Sequence, residues 1–135
     1  MIQPLWVFSD WGLLVLRVVL GVILVVHGWP KLRGLKQTAV AFGGMGFKPG
    51  MFWATIIMLL EFFGGLLLIL GFFTQVVAFF VAIEFVVILL KVKRKAPLVG
   101  GFELDLLIFA AALALLTLGA GRISLDSVFG LVLFY

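Results

Sequence analysis

Residues 52–70 read FWATIIMLLEFFGGLLLIL, from Phe52 to Leu70, with Glu61 as the one ionisable side chain. Apolar residues fill both parities of the run and every face of a helix drawn through it. No side is left for water. A helix needs about 20 such residues to cross the hydrocarbon of a bilayer. It also satisfies its own backbone hydrogen bonds there, which an open strand does not. A barrel strand would alternate over roughly ten residues, and this run does neither. The segment is predicted to be a transmembrane helix.

The same pattern repeats outward. Gly71-Phe72-Phe73-Thr74 reads as a tight turn, with Thr74 as N-cap of the next helix. The spans expected are about 5–28, 52–70, 73–90 and 103–119. Asp10 and Arg17 interrupt the first, and Trp29-Pro30 is expected to end it. Gly43, Gly44, Gly46, Pro49 and Gly50 mark the longest loop, and Pro97, Gly100 and Gly101 break the chain before the fourth span. The tail 123–135 is apolar but too short to span, so it lies at the interface or packs back on the bundle. The fold class is an all-α membrane protein, a four-transmembrane-helix bundle forming one domain over 1–135. No internal repeat and no cleavable signal peptide is visible.

Composition agrees. Hydrophobic residues make up 65% of the 135-residue chain and charged residues 12%, against about 45–50% and about 25% in soluble domains. The lipid bilayer is the partner that so much apolar surface requires. The net charge of +4 does not point to nucleic acid, because the cations cluster in two loops. Lys31, Arg33, Lys36 and Lys48 lie in the first; Lys91, Lys93, Arg94 and Lys95 lie in the third. The opposite side has only Arg122. The positive-inside rule then puts both basic loops in the cytoplasm and both termini outside, in a multi-pass protein of the cell membrane. With no cysteine and a single histidine, the chain is expected to hold no disulfide, haem, iron–sulfur cluster or zinc. A redox cofactor would be bound noncovalently or sit in a partner.

Ionisable residues inside a bilayer are costly and mark functional sites. Arg17, Glu61 and Glu84 all fall near the midplane by residue count and are the candidate catalytic residues. The arrangement expected is an Arg17–Glu61 ion pair beside a second carboxyl that carries a proton. The plain alternative is a buried pair that only fixes helix packing. His27 and Lys31, four residues apart, could hydrogen-bond a quinone carbonyl or an anion at the membrane surface; otherwise they are an interfacial histidine and a snorkelling lysine. Glu103 is a third candidate ligand contact, although with Asp105 it also suits the start of a helix. Gly64 and Gly65 read as a close helix contact, with Gly21 and Gly28 as the facing surface. Gly43-Gly44-Met45-Gly46 lacks the strand–loop–helix setting of a phosphate cradle. No metal site is expected.

Four motifs, in order, carry a resemblance. They are Arg17-x3-Gly21 with His27-Gly28-x2-Lys31, Glu61-x2-Gly64-Gly65-x5-Gly71-x2-Thr74, Gly100-Gly101-x-Glu103, and Gly119-x-Gly121-Arg122-Ile123-Ser124-Leu125-Asp126. Together the chain resembles the DoxX family, departing from it at Ala120, where the family often has proline. The resemblance implies four membrane helices and a link to respiratory redox chemistry; one relative of the family is the membrane subunit of a thiosulfate:quinone oxidoreductase. Three functions follow as expectations. The first is a quinone-linked oxidoreductase subunit that receives electrons from other membrane or redox subunits, with a protonatable site in the membrane. The second is a non-enzymatic accessory subunit of a larger membrane complex. The third is a small transporter, which would need a homo-oligomer to enclose a path.

Overall fold

A computed structural model describes residues 3–131. Among them the regular elements are all helical, and four helices are long and apolar enough to cross a membrane. The shortest of the four has 19 residues, which at about 1.5 Å per residue matches a hydrocarbon core about 30 Å thick.

Helix α1 covers Ser9–Arg33 and follows a tighter turn at Pro4–Phe8. It does not stop at Trp29-Pro30, as the sequence reading expects. Proline removes one intrahelical bond, but the helix runs on until Gly34, whose N–H bonds to the Pro30 carbonyl at 2.9 Å. Helix α2, Leu35–Gly44, occupies much of what reads as a loop. Residues 35–42 lack glycine and proline, so nothing local opposes a helix before Gly43. Gly50, at the start of α3, abuts the Ala39 carbonyl of α2 so closely that a side chain has no room.

Helix α3, Gly50–Leu70, widens into a π turn at Leu59–Phe63 around Glu61. Such turns are rare and favour functional positions. Gly71 and Phe73 take left-handed backbone conformations, φ 70° and 51°, and reverse the chain into α4, Thr74–Val92. Helix α5, Leu98–Leu118, has an irregular first turn, non-helical at Val99 and Gly100, and is regular from Glu103. A short α6, Leu125–Phe129, follows.

The packing makes two tight antiparallel pairs, α1 with α3 and α4 with α5. Leu20, Leu24, Leu68, Val77, Ala78, Val81, Phe85, Ile108, Ala112 and Leu115 form the common core where the pairs meet. Outside it, leucine, valine and phenylalanine side chains are exposed on all four spans. That surface suits lipid and not water.

The glycines set the register of the first pair. A Cβ on Gly21 would lie 2.6 Å from the Gly65 carbonyl oxygen, and one on Gly65 would lie 2.7 Å from that of Gly21. Gly28 meets the backbone of Phe62 in the same way, whereas Gly64 turns toward Val77 of α4. Residue 21 therefore faces 65, and 28 faces 62.

Candidate functional site

That register brings Lys31 of α1, Glu61 of α3 and Glu84 of α4 together. The Lys31 ammonium pairs with Glu61 Oε2 and also donates to the His27 carbonyl at 3.4 Å. Glu61 and Glu84 are 3% and 6% exposed, while the Lys31 side chain keeps 23% of its surface. Glu84 lies close enough to feel the charges of Glu61 and Lys31, yet neither of its oxygens has a hydrogen-bond partner of proper geometry. One ammonium thus serves two carboxyl groups. The cluster is electrically balanced only when the carboxyl pair holds one proton.

Arg17 is not part of this cluster, contrary to the ion pair with Glu61 expected from sequence. The antiparallel register sets it against Gly71, where an added Cβ would lie 2.6 Å from Arg17 Nη1. Gly71 is ten residues beyond Glu61, or about 15 Å along the helix. Placing both residues at the midplane fails because α1 continues past Gly28, so Arg17 lies nearer its terminal end. There its guanidinium is buried and donates to the Ala120 and Ile123 carbonyls at 2.6 and 2.7 Å.

The chain after α5 folds back over this end. The Asp126 carboxylate accepts from the N–H groups of Phe73 and Thr74 at 2.7 and 2.9 Å, and so caps α4. Thr74, expected as the cap, is the first helical residue, and its buried hydroxyl has no partner. Asp10 accepts from the Arg122 N–H at 2.9 Å. The tail packs back on the bundle as far as Leu131; residues 132–135 lie outside the described part of the chain.

His27 presents an exposed ring on the surface of α1 next to Lys31, and only its carbonyl enters the cluster. Glu103 is exposed and accepts from the Gly100 N–H at 3.1 Å, which ties the loop before α5. Sequence reading missed a second ion pair, Lys93 with Asp105 at 2.6 Å, in which Lys93 also reaches the Gly101 carbonyl at 3.2 Å. The available signal was an aspartate 12 residues after a lysine, with a glycine-rich break between them that lets the chain return.

Two clefts lie away from the carboxyl cluster. One, of about 920 Å³, sits at the terminal end between α4, α5 and the folded-back tail, with Asp10, Gln75, Arg122 and Asp126 on its walls. The other, about 260 Å³, is an apolar groove between α4 and α5.

The fold and site define a four-span helical membrane protein with two buried carboxyl groups and a half-buried lysine between its helix pairs. The chain belongs to the DoxX family, whose profile matches residues 12–94. That stretch contains Arg17, Lys31, Glu61 and Glu84, and ends before Asp105 and Asp126. The chain is 35% identical over 115 residues to a Bacillus subtilis protein named "Putative oxidoreductase CatD", covering 85% of this chain and 84% of that one. It is 38% identical over 74 residues, 55% of each chain, to "Inner membrane protein YqjF" of Escherichia coli. An uncharacterized protein of Haemophilus influenzae is 32% identical over 128 residues, covering 90% of this chain and 93% of that one. No solved structure matches the chain.

Proposed function

We propose that this chain is the membrane subunit of an oxidoreductase system of the cell membrane, and that Lys31, Glu61 and Glu84 form its proton-exchange site for a lipid-soluble quinone. The observation that carries the reading is Glu84, a buried carboxyl with no cation of its own, set against a Lys31-held Glu61. A buried polar group without a partner costs stability, and a functional use is the standing explanation for an ionisable residue in a membrane. The printed name of the Bacillus subtilis relative agrees with a redox role.

The donor set fits a quinone headgroup. Lys31 is partly exposed and His27 is exposed beside it on α1, so both can donate to ring oxygens at the lipid-facing rim while the carboxyl groups stand behind. A bound quinone supplies two-electron, two-proton chemistry, with the electrons coming from a redox centre in a partner protein. Lys31 orients the oxygen and balances charge. Glu61 and Glu84 hold the proton between turnovers, and the surrounding core excludes water.

The test is a titration of the protein in lipid nanodiscs with a short-chain quinone, read by quenching of tryptophan fluorescence. Saturable binding is expected, weakened about tenfold or more in Lys31→Gln, as befits the loss of a charged hydrogen bond, and little changed in Glu84→Gln, which stands behind the donors. Absence of saturable binding, or wild-type binding in Lys31→Gln, defeats the reading.

A further inference from the structure

The polar groups of the bundle fall into two separate layers. At the terminal end lie Arg17, Thr74, Gln75 and Asp126, all buried. Toward the basic loops lie Lys31, Glu61 and Glu84. Glu84 lies nine positions after Gln75 on α4, about 13 Å of helix. That interval is filled by Leu20, Leu24, Leu68, Val77, Ala78 and Val81, none more than 6% exposed. The backbone contact of Gly21 with Gly65 closes the same level between α1 and α3. Among the described residues no polar side chain crosses it.

The other direction is open by one side chain. Lys31 stands two residues before the end of α1, next to the exposed Arg33. Its side chain keeps 23% of its surface while its ammonium sits on Glu61. It is the one member of the cluster with substantial exposure, and a lysine stem has the length to carry its head from the carboxylate to the membrane surface.

We infer that the carboxyl site exchanges protons with the basic-loop side alone, and that Lys31 is the gate. With the ammonium on Glu61, water is shut out. When Lys31 swings toward Arg33, water reaches Glu61. A hydronium ion then gives its proton to Glu61 Oε2 and leaves as water, Lys31 stays charged, and Glu61 passes the proton on to Glu84. The charged groups that act on Glu84 are Glu61 of α3 and Lys31 of α1. On α5, Asp105 is occupied by Lys93, and His27 of α1 is exposed. The inference rests on reading the cluster as a proton-exchange site, and does not require the quinone.

The test uses dicyclohexylcarbodiimide, a lipid-soluble reagent that modifies protonated carboxyl groups, on the full chain in sealed vesicles of each orientation. The two sides are buffered independently, and modification at Glu61 and Glu84 is read by mass spectrometry. Modification is expected to rise several-fold when the basic-loop side is acidified, whatever the pH on the terminal side. Lys31→Met should lose that response, because it removes the gate together with the cation paired with Glu61. Lys31→Arg, which keeps the cation, should restore it. The inference is overturned by modification that follows the terminal side or both sides equally, by no modification at either carboxyl, or by a wild-type response in Lys31→Met. Quinone binding with modification that follows the terminal side removes this inference and leaves the proposed function. No quinone binding with modification that follows the basic-loop side does the reverse.

Discussion

Gly12 and Gly21 lie on one helix, and a methyl group at each meets different surroundings. At Gly21 the new Cβ would press on the Gly65 carbonyl at 2.6 Å and on Ile69. Backbone cannot rotate away, so Gly21→Ala is expected to lose roughly 1–3 kcal/mol by overpacking. At Gly12 nothing lies within 4 Å, and Gly12→Ala is expected to gain up to about 1 kcal/mol from helix propensity. Thermal unfolding in detergent separates the two. The carboxyl groups differ in the same concrete way. Glu84 has the Glu61 carboxyl beside it and no cation of its own, so Glu84→Leu should leave stability unchanged or raise it. Glu61→Leu strands the Lys31 ammonium and should cost about 2 kcal/mol, less than the roughly 3–5 kcal/mol of a fully buried broken pair because Lys31 can turn toward water. Urea or detergent-denaturation midpoints of the two variants measure this contrast. Equal losses would show that Glu84 has a partner the geometry does not reveal.

At the scale of elements, the four spans are legible because hydropathy is a property of each segment by itself. What links them is not. Lys31 meets Glu61 from 30 residues away and Arg17 meets the Ala120 carbonyl from 103. Their pairing follows from a register that the Gly21–Gly65 and Gly28–Phe62 contacts set. The four glycines stand out in the sequence, but which of them face each other does not. Pro30 is a local breaker, yet α1 runs on to Arg33, and in that last turn Lys31 is held on Glu61. The cap of α4 is the clearest case, since Thr74 has the right residue type and Asp126, 52 residues from it, does the capping. Asp126→Asn should therefore cost about 1 kcal/mol, the usual worth of a cap. Arg17→Met removes two charged hydrogen bonds to the folded-back segment and should cost about 2–4 kcal/mol. Both should speed proteolysis at residues 119–131 while leaving the carboxyl cluster intact. Limited proteolysis in detergent reports the first effect. Unchanged carbodiimide modification of Glu84 reports the second, and an altered one would mean that the two polar layers are coupled through the apolar core.

For the whole molecule, topology decides which compartment would supply protons to the carboxyl site. The sequence count of eight basic residues against one treats all cations alike. The structure sorts them. Lys31 and Lys93 are engaged by Glu61 and Asp105, which leaves six exposed on the basic-loop side: Arg33, Lys36, Lys48, Lys91, Arg94 and Lys95. On the terminal side, buried Arg17 points at carbonyl oxygens, and exposed Arg122 has Asp10 at 3.8 Å. Exposed cations near span ends are the ones that govern orientation. The bias thus survives the correction, and the positive-inside rule predicts that the basic loops lie inside. The native chain has no cysteine, so single thiols can be read without background. Lys95→Cys and Ser127→Cys put a thiol on an exposed position at each end. In intact cells, a membrane-impermeant maleimide is expected to label Ser127→Cys and to reach Lys95→Cys only after permeabilisation. The opposite pattern would reverse the topology. Lys31 would then open to the outside, and the same gate would draw its protons from the other compartment without any change in the packing that forms it.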